Sequence, residues 1–329
     1  MSSSTTKKKQ SPYKNSGQIM RPASKLEMHF YLKDGAHSMD AHTRNRCERE
    51  LLAIFQELSN ELRIPVKIES QAHTEGGLRD CWKFIGDNDR QITLLTSVAA
   101  IVIATLDLPD EKDDQLKALS IEEKQLIIQK LKIEVEEKEL TLERAREAAR
   151  LSGNTHKTRV RKSNLYREIR EQEKIQKIGI STLSETNTYI GEERIVERSD
   201  FHKAILNSLN LPPIIVDNAI IEIISPVLRD GQHKWKGIYD KKTISFEMAD
   251  REFRSDVLGE KISFKHGTFI EAELIISKEL DEAGDIKITN HAVKTVIRKF
   301  DGSSTIETSQ GKRYLANKRA AESQTDMFD

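Results

Sequence analysis

The sequence predicts an α+β protein: an N-terminal strand-helix-strand domain, a long central helical hairpin, and a C-terminal β-rich domain, barrel-like or a curled sheet. Three observations predict it. Residues 113–152 contain neither Pro nor Gly and are rich in Leu, Glu, Lys and Ala, all strong helix formers. Ahead of them, an alternating aromatic stretch gives way to apolar residues at helical spacing. Beyond residue 199, short apolar runs are separated by Gly and Asp turns.

These shifts divide the chain into a disordered basic arm (1–24), an α+β domain with an apolar helix (25–110), a long helical hairpin (111–180), a linker (181–198), a β-rich domain (199–305) and a flexible tail (306–329). The arm carries Lys7, Lys8 and Lys9 and has no apolar core of the secretory-signal kind. In the first domain, KLEMHFYL from Lys25 reads as a strand. The loop KDGAHSMD offers Ser38 or Asp40 as a helix N-cap. Cys47, Leu51, Phe55, Leu58 and Leu62 then mark one helical face, and Pro65 opens a second strand. Strand, helix and strand in that order predict a parallel pair joined by a right-handed crossover. LRDCWKFIG reads as a short helix, with Trp82 and Phe84 in the core.

Residues 91–106 form a run of sixteen without a charge, about 24 Å long as a helix. A membrane span needs about 20 mostly apolar residues. With Gln91, Thr93, Thr96, Ser97 and Thr105 inside it, the run reads as a buried helix of a cytoplasmic protein.

The central helix carries two apolar stripes. Leu119, Leu126, Ile133 and Leu140 repeat every seven residues, as do Ile121, Ile128, Val135 and Leu142, offset by two. Two residues on a helix are about 200° apart, so the stripes lie on nearly opposite sides. A two-stranded coiled coil needs one seam with rows three or four apart. This helix is instead gripped from two sides, either between elements of its own chain or between its own domain and a second copy of the chain, its expected partner in a homo-oligomer. Gly153 and Asn154 break it, and a second helix from Lys157 to Ile178 opens with Lys157, Arg159, Arg161 and Lys162 around Tyr166. That cluster is a candidate phosphate-contacting surface. The alternative is pairing with Glu134, Glu136, Glu137 and Glu139.

Past the polar linker STLSETNTYIG, Ser199-Asp200 caps a helix stopped by Pro212-Pro213. NAIIEIISPVL is a buried strand, HKWKGIYD and KTISFEM a hairpin, and ADREFRSDVLG a short helix. KISFKHG, TFIEAELIISKEL and DIKITNHAVKTVIRKF are strands, the last two joined at Asp281–Gly284. Trp235, Phe246, Phe253 and Phe264 are the expected aromatic core of a small barrel.

The 329 residues hold 53 basic and 53 acidic side chains, for zero net charge, so nucleic acid can be met only by a local patch. Cys47 and Cys81 lack metal spacing and read as core residues. No Gly-rich phosphate loop, nucleophile elbow or kinase signature occurs, and no cofactor is implied.

Two short stretches resemble known motifs. Asp34-Gly35-Ala36-His37-Ser38-Met39, between a strand and a helix, resembles the metal-ion loop of von Willebrand factor A domains, Asp-x-Ser-x-Ser. Ala36 stands where that pattern has its first serine, removing an oxygen ligand, and the family's long α/β array has no counterpart here. Gln324-Thr325-Asp326-Met327-Phe328 resembles the peptide that bacterial replication and repair proteins insert into the sliding clamp, Gln-x-Ser/Asp-Leu/Met-Phe. The resemblance implies that Met327 and Phe328 fill an apolar cleft while Gln324 hydrogen-bonds beside it and Asp326 holds the polar position.

The expected function is therefore a non-catalytic, oligomeric, DNA-associated binding protein directed to a bacterial clamp. Two alternatives stand beside it. One is a stress or phage-defence effector applying helix 92–106 to a membrane. The other is a metal-dependent hydrolase at Asp34, His37 and His73, with His29, His42, Glu69 and Glu75 nearby in sequence.

Overall fold

The computed structural model describes residues 20–36, 38–71, 78–106, 121–137, 140–229, 231, 233–302 and 304–325. The chain falls into two units. The first comprises residues 1–207 with 282–285, and the second comprises 208–281 with 286–329.

The first unit is a five-stranded antiparallel sheet with helices on one face. Strand β1 (Lys25–Leu32) alternates Leu26, Met28 and Phe30, all buried, with Lys25, Glu27, His29 and Tyr31 on the other face. It is followed by α1 (Ala41–Leu62), capped by Asp40, whose side chain accepts from Thr43 N at 2.8 Å. Cys47, Leu51, Ile54, Phe55, Leu58 and Leu62 form its buried stripe, as their spacing predicts. Next come β2 (Lys67–Gln71) and β3 (Leu78–Ile85).

The expected short helix over LRDCWKFIG is this third strand. Trp82 and Phe84, at period two, face the core, where each makes an edge-on ring contact with Phe55. Strand β3 inserts between β1 and β2, antiparallel to both. The first two strands do run parallel, as strand-helix-strand order predicts, but they are not neighbours. This is the split β-α-β arrangement.

Helix α2 (Asp89–Ala104) is the uncharged run. Asn88 caps it, accepting from Arg90 N at 3.0 Å, and almost every residue from Ile92 to Ile103 is buried. Thr93 and Thr96 return their hydroxyls to the carbonyls of Asp89 and Ile92, both at 2.8 Å, so these two polar side chains sit in the core with their hydroxyls matched. No helix among the described residues is long and apolar enough to cross a membrane.

The single long helix is a point of correction. Residues 107–120 lie outside the described residues, and after them come two helices, α3 (Ile121–Glu137) and α4 (Leu142–Ser152). Thr141 has extended backbone and its hydroxyl accepts from Arg144 N, so it starts a new helix rather than continuing one. Residue propensity does not see this competition between a side-chain cap and the next helical turn. Ala145, Ala148 and Ala149 on α4 are buried, the small side chains that allow close approach to α2.

Helix α5 (His156–Glu171) ends earlier than expected, and strands occupy most of residues 175–197: β4 (Ile175–Leu183) beside β1, and β5 (Tyr189–Glu197) at the edge. The expected linker is thus a hairpin's turn, residues 184–188, followed by its second strand. Sheet order is β2-β3-β1-β4-β5. A 3-10 turn at Arg198–Ala204 replaces the helix expected after Ser199.

The second unit is a small closed barrel. Strand β6 (Asn210–Ser225) contains Pro212-Pro213, which open a strand instead of stopping a helix. Their missing N–H groups are tolerated because this half of β6 pairs on one side only, with β9, and the register slips between Leu211 and Ile214. Strands β7 (Trp235–Tyr239) and β8 (Lys242–Met248) form the expected hairpin across Asp240 and Lys241, both at positive φ (48° and 62°).

Asp250 then caps α6 (Arg251–Leu258). Residues 259–267, expected to include a strand, are a loop, though Phe264 still packs on Trp235 at 5.4 Å between ring centroids. Strands β9 (Thr268–Leu280) and β10 (Ile286–Asp301) come next. The circuit is β6-β7-β8-β10-β9 and back to β6, with β8 and β10 parallel through Ala292↔Glu247 and Val293↔Met248. Trp235, Phe246 and Phe253 are buried at its centre. The expected tail is also ordered in part: β11 (Ser304–Glu307) pairs with β10, and α7 (Ser309–Thr325) lies beyond it.

Candidate functional site

The four basic residues at the start of α5 do not make one surface. Lys162 is only 6% exposed, and its ammonium donates to the carbonyls of Thr105 (2.6 Å) and Val102 (3.3 Å), where α2 ends. That placement neutralises the negative end of the α2 dipole. Arg161 pairs with the buried carboxylate of Glu50 at 3.2 Å, and Lys157 pairs with Asp285 at 3.1 Å. Arg159 lies half-buried on the same helix. Of the acidic run, Glu134 pairs with Arg144, and the side chains of Glu136, Glu137 and Glu139 lie outside the described residues.

Of the metal candidates, His37 and His73, with Glu75, lie outside the described residues. Asp34 sits at φ 56° in a 3-10 turn, and Glu69 pairs with Lys67. Among the described residues, no group of three His, Cys, Asp or Glu side chains could hold a metal. Burial pushes the Cys47 thiol up to about 12 and the Cys81 thiol up to about 11, which leaves both as poor nucleophiles. In the clamp-like motif, Gln324 falls in the last turn of α7, and Asp326, Met327 and Phe328 lie outside the described residues.

Sequence reasoning missed two polar assemblies. On the sheet face of the first unit opposite the helices, Arg79 donates to Glu27 (2.7 Å) and to the Tyr189 hydroxyl (2.6 Å), and the Tyr31 hydroxyl donates to Glu193 (2.7 Å). Burial first, then the Glu193 carboxylate, pushes Tyr31 up to about 12, so it stays a neutral donor. The polar members of the alternation in KLEMHFYL announce this face; their partners, far apart in sequence, do not.

The second assembly is the outer face of the β7–β8 hairpin. Alternation there sends Trp235, Ile244, Phe246 and Met248 inward and leaves Lys236, Thr243, Ser245 and Glu247 exposed on the outer face beside the half-buried Ile238, while Lys242 is exposed at the turn. The loop between β6 and β7 brings Lys234 to the same end, where its ammonium meets Asn290 Oδ1 of β10 at 2.9 Å. Arg254, from the start of α6, reaches the loop at Gly231 O (2.5 Å). Burial, and then the Lys234 charge, hold the neighbouring His291 below its usual range. A cavity of about 260 Å³ opens among His233, Lys234, Glu247 and Arg254. Among the described residues that line this cavity, Lys234 and Arg254 outnumber the one carboxylate, Glu247, and the neighbouring Thr243, Ser245 and Asn290 add hydroxyls and an amide. Such a surface can hold phosphate oxygens. Among its described residues it presents no exposed Phe, Tyr or Trp ring on which bases could stack.

No family model matches the chain, and neither a curated protein nor a solved structure is significantly similar to it.

Proposed function

We propose that the chain is a non-catalytic nucleic-acid-associated binding protein whose second unit holds a single strand across the β7–β8 face. The observation that carries this reading is the barrel's connectivity. Counting from β6, the strands close in the order first, second, third, fifth, fourth, with the third and fifth parallel and a helix between the third and fourth. That is the plan of oligonucleotide- and oligosaccharide-binding barrels, which bind across their second and third strands and the loop joining the first two. Here the joining loop and the outward side of the second strand carry Lys234 and Lys236, and Lys242 is exposed at the turn that opens the third. The clamp-like segment supports the same reading, because it would deliver such a barrel to replicating or repaired DNA.

With no exposed stacking ring among the described residues of that face, contact is made chiefly to the sugar-phosphate backbone, so binding is insensitive to base sequence and strongly screened. If about four cations meet phosphates, the slope of log K against log salt is roughly −3 for a single strand. Fluorescence anisotropy with labelled oligonucleotides checks this. The double variant Lys234→Glu, Lys236→Glu is expected to weaken binding at least tenfold. Equal affinity of the variant and the parent would remove the barrel face from the function.

A further inference from the structure

A second cavity, of about 340 Å³, lies within the first unit where α2 ends and α4 turns into α5. Ile101, Val102 and Ala149 supply apolar wall; Arg146, Arg150 and Lys162 supply three cations, and no carboxylate lines it among the described residues. Gly153 permits the close approach of the turn to α2, since a Cβ there would stand 2.7 Å from Val102 Cγ2.

The cations differ in how they are compensated. Lys162 is turned to the carbonyls of Val102 and Thr105. Arg150 is held by Glu147 through two hydrogen bonds, at 2.9 and 3.1 Å. The Arg146 side chain has no hydrogen bond or ion pair among the described residues. Neither has that of Arg194 on the edge strand β5. The two guanidinium groups lie within reach of each other's charge. Burial, and then the charge of Arg146, hold Arg194 below its ordinary range. Two like charges in each other's field, one of them half-buried and neither matched by a carboxylate among the described residues, are relieved by an anion. A guanidinium fork fits phosphate oxygens better than a point charge does.

We infer that this cavity binds a small phosphate-bearing molecule, with its phosphate on Arg146 in the field of Arg194 and its uncharged part against Ile101, Val102 and Ala149. The volume lies at the low end of ligand pockets, ~300–1,000 Å³, which suits a molecule of mononucleotide size rather than a segment of a polymer.

Isothermal titration of the full chain with inorganic phosphate, pyrophosphate, AMP and uncharged adenosine tests the assignment. AMP or pyrophosphate is expected to bind saturably and adenosine not to bind. Arg146→Ala is expected to weaken the bound ligand at least tenfold, with Arg146→Lys between the two. Lys234→Glu is expected to leave the titration unchanged, which separates this site from the barrel face. Arg146 is exposed and unpaired among the described residues, so its removal should leave the thermal transition in place. Phosphate at constant ionic strength should raise the unfolding temperature of the parent but not of Arg146→Ala. Absence of saturable binding by every phosphate compound, undiminished affinity in Arg146→Ala, or loss of binding in Lys234→Glu would each overturn the proposal.

Discussion

Asp250 holds the barrel's third and fifth strands in their mutual positions, and it does so through both carboxylate oxygens. One accepts from Phe253 N at 2.9 Å, capping α6. The other accepts from Val296 N of β10 at 2.7 Å and from Gln310 Nε2 of α7 at 3.1 Å. The side chain is buried, so removing it loses a cap worth about 1 kcal/mol, leaves the buried Val296 N–H unmatched at about 1–3 kcal/mol, and frees the half-buried Gln310 amide. Asp250→Ala is therefore expected to destabilise the protein by about 3 kcal/mol, with the barrel's unfolding temperature lowered by roughly 10 °C. Calorimetry checks this, and Asp250→Asn, which keeps one acceptor, should fall between. The cap itself is legible in the sequence as an Asp before a short amphipathic helix. Its grip on Val296 and Gln310 is not, because those residues lie 46 and 60 positions away.

At the scale of the element, α3 shows how far a periodicity can be trusted. Its two heptad stripes are present, but only one is covered: Ile128 and Val135 are 3% and 0% exposed, whereas Leu126 and Ile133 remain 56% and 47% exposed. The uncovered stripe supports the proposal that α3 meets a second copy of the chain, since burying exposed apolar side chains is favourable, although a single row is not the two-row seam of a coiled coil. Leu126→Glu with Ile133→Glu should then reduce the molar mass in solution to one chain, 37.6 kDa, at unchanged helical content. Light scattering measures it, and a parent protein that is already monomeric would refute the idea. The β3 strand teaches the opposite lesson. LRDCWKFI carries an apolar pair at period two and flanking charges that also suit a helix, and the choice was made by the open position between β1 and β2.

For the whole molecule, zero net charge means that any polyanion is met by local fields, and the structure distributes those fields unevenly. Most cations of α5 are committed to internal partners, while those of the β7–β8 end face outward. The C-terminal region, expected to be flexible from residue 306, is anchored instead: Lys318 pairs with Asp217 at 2.7 Å and the Tyr314 hydroxyl donates to the same carboxylate at 3.2 Å. The clamp-like segment therefore begins at the end of an ordered helix. An extended peptide can be taken from a frayed last turn at small cost, so the proposal that the chain reaches a sliding clamp keeps a simple test. Removing the last six residues should abolish retention on immobilised clamp while leaving oligonucleotide binding intact; retention by the shortened chain would dismiss the motif.

The sequence by itself determined the α+β class, the buried apolar helix, the hairpin over 235–248, the aromatic centre of the barrel and the long β9–β10 pair. Each of these rests on local periodicity or on a turn whose φ demands specific residues, and such signals need no knowledge of the neighbours. Tertiary structure decided the rest: that β3 is a strand, that Thr141 divides one predicted helix into two, that residues 184–188 turn a hairpin, and that Pro212-Pro213 open a strand. It also decided which cations are bound internally and which are available. Those outcomes depend on hydrogen-bond partners and buried charges brought together from distant parts of the chain, so no window of sequence contains them.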